Sequence, residues 1–312
     1  MRDLVGRRMP RALATAAGLA LAVGAATGCG GHQNPSAAEA PETTDLSEGE
    51  GALGEWVSSG GLQRTYSLWV PSSYDGSRPY PLVLAFHGAG GNGGVAQHVG
   101  LDRAAERAGF ILAAPDGVRG SWALGCGGCT IADQMGIDDV RFVGTLVTHL
   151  TRHLSVDRDR VFAAGLSDGG TFSNRLACEY PLAGAAVVAG ALFNPALCRP
   201  VRPVSLVAFH GTEDSIIPFS QGATPARIWA DLDGCGPDPT ITPLPDLEDD
   251  GTTVTRYDYP ACRNGTEVVF FAVNGGIHSW PGAPSSQQRG QTRDIEASEE
   301  IVDFFSRHRR VP

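Results

Sequence analysis

The sequence predicts an α/β domain built on a mostly parallel central sheet with helices on both faces, and three observations carry that prediction. From about Gly54 onward, apolar β-type runs alternate with segments of helical periodicity, the pattern of successive βαβ units. The runs are continuous in Val, Ile, Leu and Ala, as suits strands covered on both sides. A chain of 312 residues, 42% hydrophobic and 19% charged, has the length for one large α/β domain or two ordinary ones. No internal repeat and no second pattern marks a second domain.

The expected strands are 63–70, 80–86, 109–114, 160–165, 185–189, 204–209 and 267–273. Between them, 139–154 carries Phe142, Val143, Leu146, Val147, Leu150 and Leu154 at helical spacing, with Asp138 or Asp139 to cap its start. A closing helix over 295–309 turns Ile301, Val302, Phe304 and Phe305 toward the sheet. The stretch 219–262 reads as an insertion holding a short helix (223–232) and a loop or hairpin pinned by Cys235 and Cys262.

The ends of the chain read differently. Arg2, Arg7, Arg8 and Arg11 precede the apolar stretch 12–26, which marks 1–28 as a signal peptide. Arg7-Arg8 hints at twin-arginine export, but the residues after it fit that pattern poorly. The run Ala26-Thr-Gly-Cys29 resembles a bacterial lipobox, so Cys29 is expected to carry a lipid that tethers the chain to a membrane, with simple secretion as the alternative. Residues 29–54 are rich in Gly, Ser, Pro, Ala and Glu and read as a flexible tether, which leaves 55–312 as the folded domain. A net charge of −10 argues against a nucleic-acid partner.

Seven cysteines in an exported chain suggest disulfides. With Cys29 set aside, six allow about 15 connectivities. Pairing of chain neighbours, Cys126–Cys129, Cys178–Cys198 and Cys235–Cys262, is the expected solution. The Cys126-Gly-Gly-Cys129 spacing also suits a redox or zinc site, but no second Cys or His pair lies nearby in sequence, so a structural bridge is favoured.

Three segments carry chemistry: Gly165-Leu-Ser167-Asp-Gly169, His210-Gly-Thr-Glu-Asp214 and Gly275-Gly-Ile-His278-Ser-Trp280-Pro-Gly282. Each follows an apolar β-type run. Serine on a glycine-flanked turn, then an acid, then histidine is the triad order of an α/β-hydrolase. In a chain with 41 glycines the G-x-S-x-G match alone is weak, and its place between a strand and a helix does the discriminating. Ser167 is the expected nucleophile and His278 the expected base. Asp214 is favoured over Glu213 as the acid, and the Asp168 side chain is expected to point away from His278. His210 and His87 end strands in segments with other tasks. The loop His87-Gly-Ala89-Gly-Gly offers bare backbone donors, so the N–H groups of Asp168 and Ala89 are assigned to the oxyanion. His87, Trp122 and Trp280 are assigned to substrate binding, with plain packing as the alternative for the tryptophans. The acidic run 246–250 reads as a solvated loop, with a calcium site as the alternative.

These motifs, in register from about Gly60 to the C-terminus, resemble the extracellular poly(3-hydroxybutyrate) depolymerase family and its relatives, the feruloyl and acetylxylan esterases. The resemblance implies a single α/β-hydrolase domain with Ser167, Asp214 and His278 as triad, no metal or organic cofactor, and the pairs Cys178–Cys198 and Cys235–Cys262. Asp168 stands where the family often has Asn, and Cys126 and Cys129 are split by two glycines where relatives often carry adjacent cysteines. No polymer-binding domain follows, which puts action on crystalline polymer in doubt. The expectation is a serine carboxylic-ester hydrolase acting, as a monomer, on hydroxyalkanoate oligomers or polymer or on feruloyl or acetyl esters. An acyltransferase or peptidase on the same triad, or a catalytically silent surface binding protein, are the alternatives.

Overall fold

The computed structural model describes residues 52–284 and 288–311. The expected signal peptide, Cys29 and most of the tether lie outside them. Ten strands form one sheet: β1 (Ala52–Ser59), β2 (Leu62–Trp69), β3 (Tyr80–Phe86), β4 (Ile111–Pro115), β5 (Val156–Leu166), β6 (Gly184–Val188), β7 (Ser205–Gly211), β8 (Thr240–Pro243), β9 (Thr253–Tyr259) and β10 (Val268–Asn274). The helices are α1 (Val95–His98), α2 (Leu101–Ala108), α3 (Ile131–Gln134), α4 (Asp139–His153), α5 (Asp168–Glu179), α6 (Phe219–Leu232) and α7 (Ala297–Ser306). The spatial strand order is β1-β2-β4-β3-β5-β6-β7-β10-β9-β8. From β4 to β10 every pairing is parallel. The two strands at each edge pair antiparallel.

Successive side chains of a strand point to opposite faces, and the apolar runs divide accordingly. Leu82, Leu84 and Phe86 of β3 pack with α4, α5 and α6, whereas Val83 and Ala85 pack with α2 and α7. Both faces of the parallel strands are therefore buried, as their unbroken apolar composition requires.

Two differences from the sequence reading have simple causes. β1 begins inside the expected tether and pairs with β2 around Gly60-Gly61, both at positive φ (59° and 80°), a backbone that only glycine adopts freely. As an edge strand it needs no continuous apolar run. α6 starts at Phe219, ahead of the expected 223, and the rest of the insertion is the β8–β9 hairpin. At α4, Asp138 is the cap, accepting from the Arg141 N–H at 2.9 Å. Asp139 turns inward instead and is fully buried. Its carboxylate accepts from the Ala123 N–H at 2.8 Å and pairs with Arg64 at 2.8 Å, whose guanidinium lies 3.8 Å from the centre of the Phe142 ring. All three neighbouring cysteine pairs, Cys126–Cys129, Cys178–Cys198 and Cys235–Cys262, are bonded.

Two stability experiments follow. Arg64→Met strands a buried carboxylate and is expected to cost about 3 kcal/mol by urea denaturation, with Arg64→Met/Asp139→Leu recovering most of it. Asp233, 1% exposed where α6 ends, has its carboxyl pushed up by burial from 3.8 to about 6. The folded chain then holds a proton there that the unfolded chain releases, so stability falls as pH rises through that window, by about 3 kcal/mol in all. Asp233→Asn is expected to remove that slope. An unchanged slope in the variant would assign the pH dependence to another group.

Candidate active site

The parallel register brings the three motifs together, because each follows a strand whose C-terminal end lies at the same edge of the sheet. β7 and β10 are direct neighbours, with Phe209 opposite Phe271 and Gly211 opposite Val273. Their outgoing loops are zipped by bonds from the Thr212 N–H to the Val273 carbonyl (2.9 Å), from the Glu213 N–H to the Gly276 carbonyl (2.8 Å) and from the Gly275 N–H to Thr212 Oγ1 (2.8 Å). This zipper delivers Asp214 and His278 to each other: His278 Nδ1 lies 2.7 Å from Asp214 Oδ2. Asp214 is buried and Glu213 exposed. The other oxygen, Oδ1, accepts the Ile216 and Ile217 N–H groups, each at 2.9 Å. A carboxylate on Nδ1 fixes the proton there and leaves the Nε2 lone pair for a proton donor.

Ser167 occupies the turn from β5 into α5 at φ 58°, ψ −118°, a conformation side chains rarely adopt. Its N–H is held by the Val188 carbonyl at 2.9 Å. Glycines make the turn closable. A Cβ on Gly165 would collide with the Gly169 backbone, and one on Gly169 with the carbonyls of Phe86 and His87. A Cβ on Gly88 would stand 3.3 Å from Ser167 Cβ, so the loop after β3 lies directly against the serine. Ser167 and His278 are half-buried. The Asp168 N–H, in the first turn of α5, has no intrahelical acceptor. Among the described residues the Ala89 N–H also has none.

The structure corrects three substrate-binding assignments. Trp122 is fully buried, stacked on Phe172 with ring centres 5.1 Å apart, and its indole N–H donates to the His87 carbonyl at 2.9 Å. Trp280 is 4% exposed and donates to Ser298 Oγ at 3.1 Å, tying the His278 loop to α7. His87 is 1% exposed with both ring nitrogens occupied: Nε2 accepts the Gly117 N–H (2.9 Å), so Nδ1 donates to the Gly88 carbonyl (2.7 Å). Burial pushes its pKa down. These rings hold the loops from behind and offer no face to a ligand. Burial raises the pKa of the Asp168 carboxyl, and the charges of His87 and His278 draw it partly back.

A mainly parallel sheet sandwiched by helices, with its serine on a sharp strand-to-helix turn, is the frame of the α/β-hydrolases. Solved structures agree: an acetyl xylan esterase from Aspergillus awamori superposes with a TM-score of 0.57 at 17% identity, covering 78% of this chain and 93% of that one. The family model described as Esterase PHB depolymerase matches residues 64–200. NocK of Nocardia uniformis subsp. tsuyamanensis, named as an esterase, is 32% identical over 72% of this chain and 74% of its own. Feruloyl esterase D of Neurospora crassa is 29% identical over 79% and 83%. The chain belongs to the PHB-depolymerase esterase family and is a carboxylic ester hydrolase.

Because the elbow closes only over hydrogen atoms, Gly165→Ala is expected to destabilise the fold by about 3 kcal/mol or more. Thermal unfolding checks this, and a Tm matching the parent would show that the turn is not sterically locked.

Proposed function

We propose that this enzyme is an exported serine esterase in which Ser167 is the nucleophile, His278 the general base and Asp214 the acid that orients it. The 2.7 Å bond from His278 Nδ1 to a buried carboxylate carries the reading. His278 Nε2 takes the Ser167 proton as Oγ attacks the ester carbonyl, and the N–H groups of Asp168 and Ala89 stabilise the oxyanion. His278 returns the proton to the departing alcohol, and water activated by the same imidazole cleaves the acyl-serine. The scheme uses no metal or organic cofactor.

The substrates proposed are hydroxyalkanoate oligomers or polymer, or feruloyl and acetyl esters. The names of the feruloyl and acetyl xylan esterase relatives support the second group. A cleft of about 210 Å³ lies beside the site, since Thr171 on its wall is one turn along α5 from Ser167. Leu192, Phe193 and Leu197 on one side and Arg175, Glu179 and Asn194 on the other support a substituent with both apolar and polar parts. The reading includes export through a leader at 1–28, with Cys29 as lipid anchor or with simple secretion; three disulfides, which persist in oxidising compartments, support the export.

The test is hydrolysis by the mature chain of 4-nitrophenyl acetate and butyrate, a hydroxybutyrate oligomer, methyl ferulate and acetylated xylan. At least one ester is expected to turn over, with kcat reduced about 10⁴-fold or more in Ser167→Ala. Fluorophosphonate is expected to label only the parent. Parent and variant equally inactive on every ester would remove the reading.

A further inference from the structure

The acid segment holds a second histidine that this scheme leaves idle. His210 is the penultimate residue of β7 and is 2% exposed. Its Nε2 lies 2.8 Å from the Ile217 carbonyl and 3.3 Å from Asp214 Oδ2. A carbonyl oxygen only accepts, so Nε2 carries the proton and donates it to Ile217, with Asp214 Oδ2 beside that N–H as a second, electrostatic contact. Burial pushes the ring's pKa down and keeps it neutral. Asp214 Oδ2 is thus shared by two imidazoles, His278 at 2.7 Å and His210 at 3.3 Å.

The two amides on Oδ1 fix that oxygen but leave the carboxylate able to swing about it. A donor on Oδ2 removes the remaining freedom. The donor's own place is set by backbone: Gly222 of α6 lies flat on the His210 ring, and a Cβ there would collide with Nδ1 and Cγ. Phe219, also on α6, meets the ring edge-on at 6.2 Å. Resting on the reading of Asp214 and His278 as acid and base, we propose that His210 is a positioning residue whose Nε2–H, anchored on Ile217 and 3.3 Å from Asp214 Oδ2, steadies that oxygen in line with His278 Nδ1.

Two variants of similar bulk separate the hydrogen bond from packing. His210→Gln keeps a donor at the end of a flexible side chain, and His210→Met fills the space without one. The first readout is the low-field proton resonance of His278 Nδ1–H, assigned by its loss in His278→Gln. In His210→Met it is expected to move upfield and broaden, and in His210→Gln to return toward the parent. The second readout is kinetic: a fall in kcat of about tenfold in His210→Met with KM within about twofold, largely restored in His210→Gln. His210→Phe is the second donor-less variant should His210→Met fail to fold by circular dichroism. An unmoved resonance with unchanged kcat in the donor-less variant overturns the proposal, as does an equal loss in His210→Gln, which would make the ring a space filler. Failure of the esterase reading looks different: the parent would match Ser167→Ala on every ester, while the resonance comparison would still decide the role of His210.

Discussion

The constraint on which the rest of the structure depends is the closure of backbone on backbone around Ser167. At φ 58° the serine holds a conformation that costs of order 1–3 kcal/mol and persists only when its surroundings leave no alternative. Here they leave none. Gly165 meets Gly169, Gly169 meets the end of β3, Gly170 meets the Val188 backbone and Gly88 meets the serine itself. Four elements therefore share one point, and the loop bearing Ala89 takes its position from its contact with Ser167. Behind it, Phe86, Trp122 and Phe172 fill the space with stacked and edge-on rings, and His87 fixes the loop through both ring nitrogens.

The buried carboxylates show how differently one fold treats one functional group. Asp214 accepts two amides and the His278 imidazole, with His210 Nε2 3.3 Å away, which suits the role of acid proposed for it. Asp139 is held by an arginine and an amide, a pairing that joins α4 to β2 beneath Trp122. Among the described residues Asp233 has no ion pair, only the more distant charge of Arg263, and burial raises its carboxyl to about 6. The placement of donors, more than depth alone, separates a site acid from a structural one.

Much of this was legible in the sequence where the cause is local. β3 is recovered at both ends because Tyr80 to Phe86 is a bounded apolar run, and the three motifs are recognisable because strand, turn glycine and functional residue are contiguous. The rest depends on partners distant in sequence. A tryptophan beside a motif has the same local sequence whether it faces the substrate or the core, and Trp122 and Trp280 find their hydrogen-bond partners at His87 and Ser298. Arg64 and Asp139 carry no local sign that they will meet. A strand-end histidine followed by glycine looks complete in itself, and the relation of His210 to Asp214 appears only once the loop after β7 doubles back through Ile217. β1 is the instructive exception, since Gly60-Gly61 between two short runs is a hairpin signal hidden by the glycine-rich stretch before it.

The same division between local framework and distant partners separates chemistry from selectivity. The reacting groups proposed here stand on strand ends fixed by the parallel register, which tolerates little change. The segments beyond those ends are freer: Ile131 and Met135 follow β4, Phe193 and Leu197 follow β6, and Ile216 follows β7, all of them exposed apolar side chains. The first two of these segments are tied by disulfides, Cys126–Cys129 and Cys178–Cys198. A cross-link closing a loop of some twenty residues removes about 3 kcal/mol of unfolded-state entropy. Cys178–Cys198, spanning 20 residues, therefore orders a segment that leaves Leu197 76% exposed, a surface the hydrophobic effect alone would not hold in place. Under the proposed function, these fastened apolar loops are where substrate choice would be tuned, while the elbow and the zipped loops carrying Asp214 and His278 would set which bond is broken.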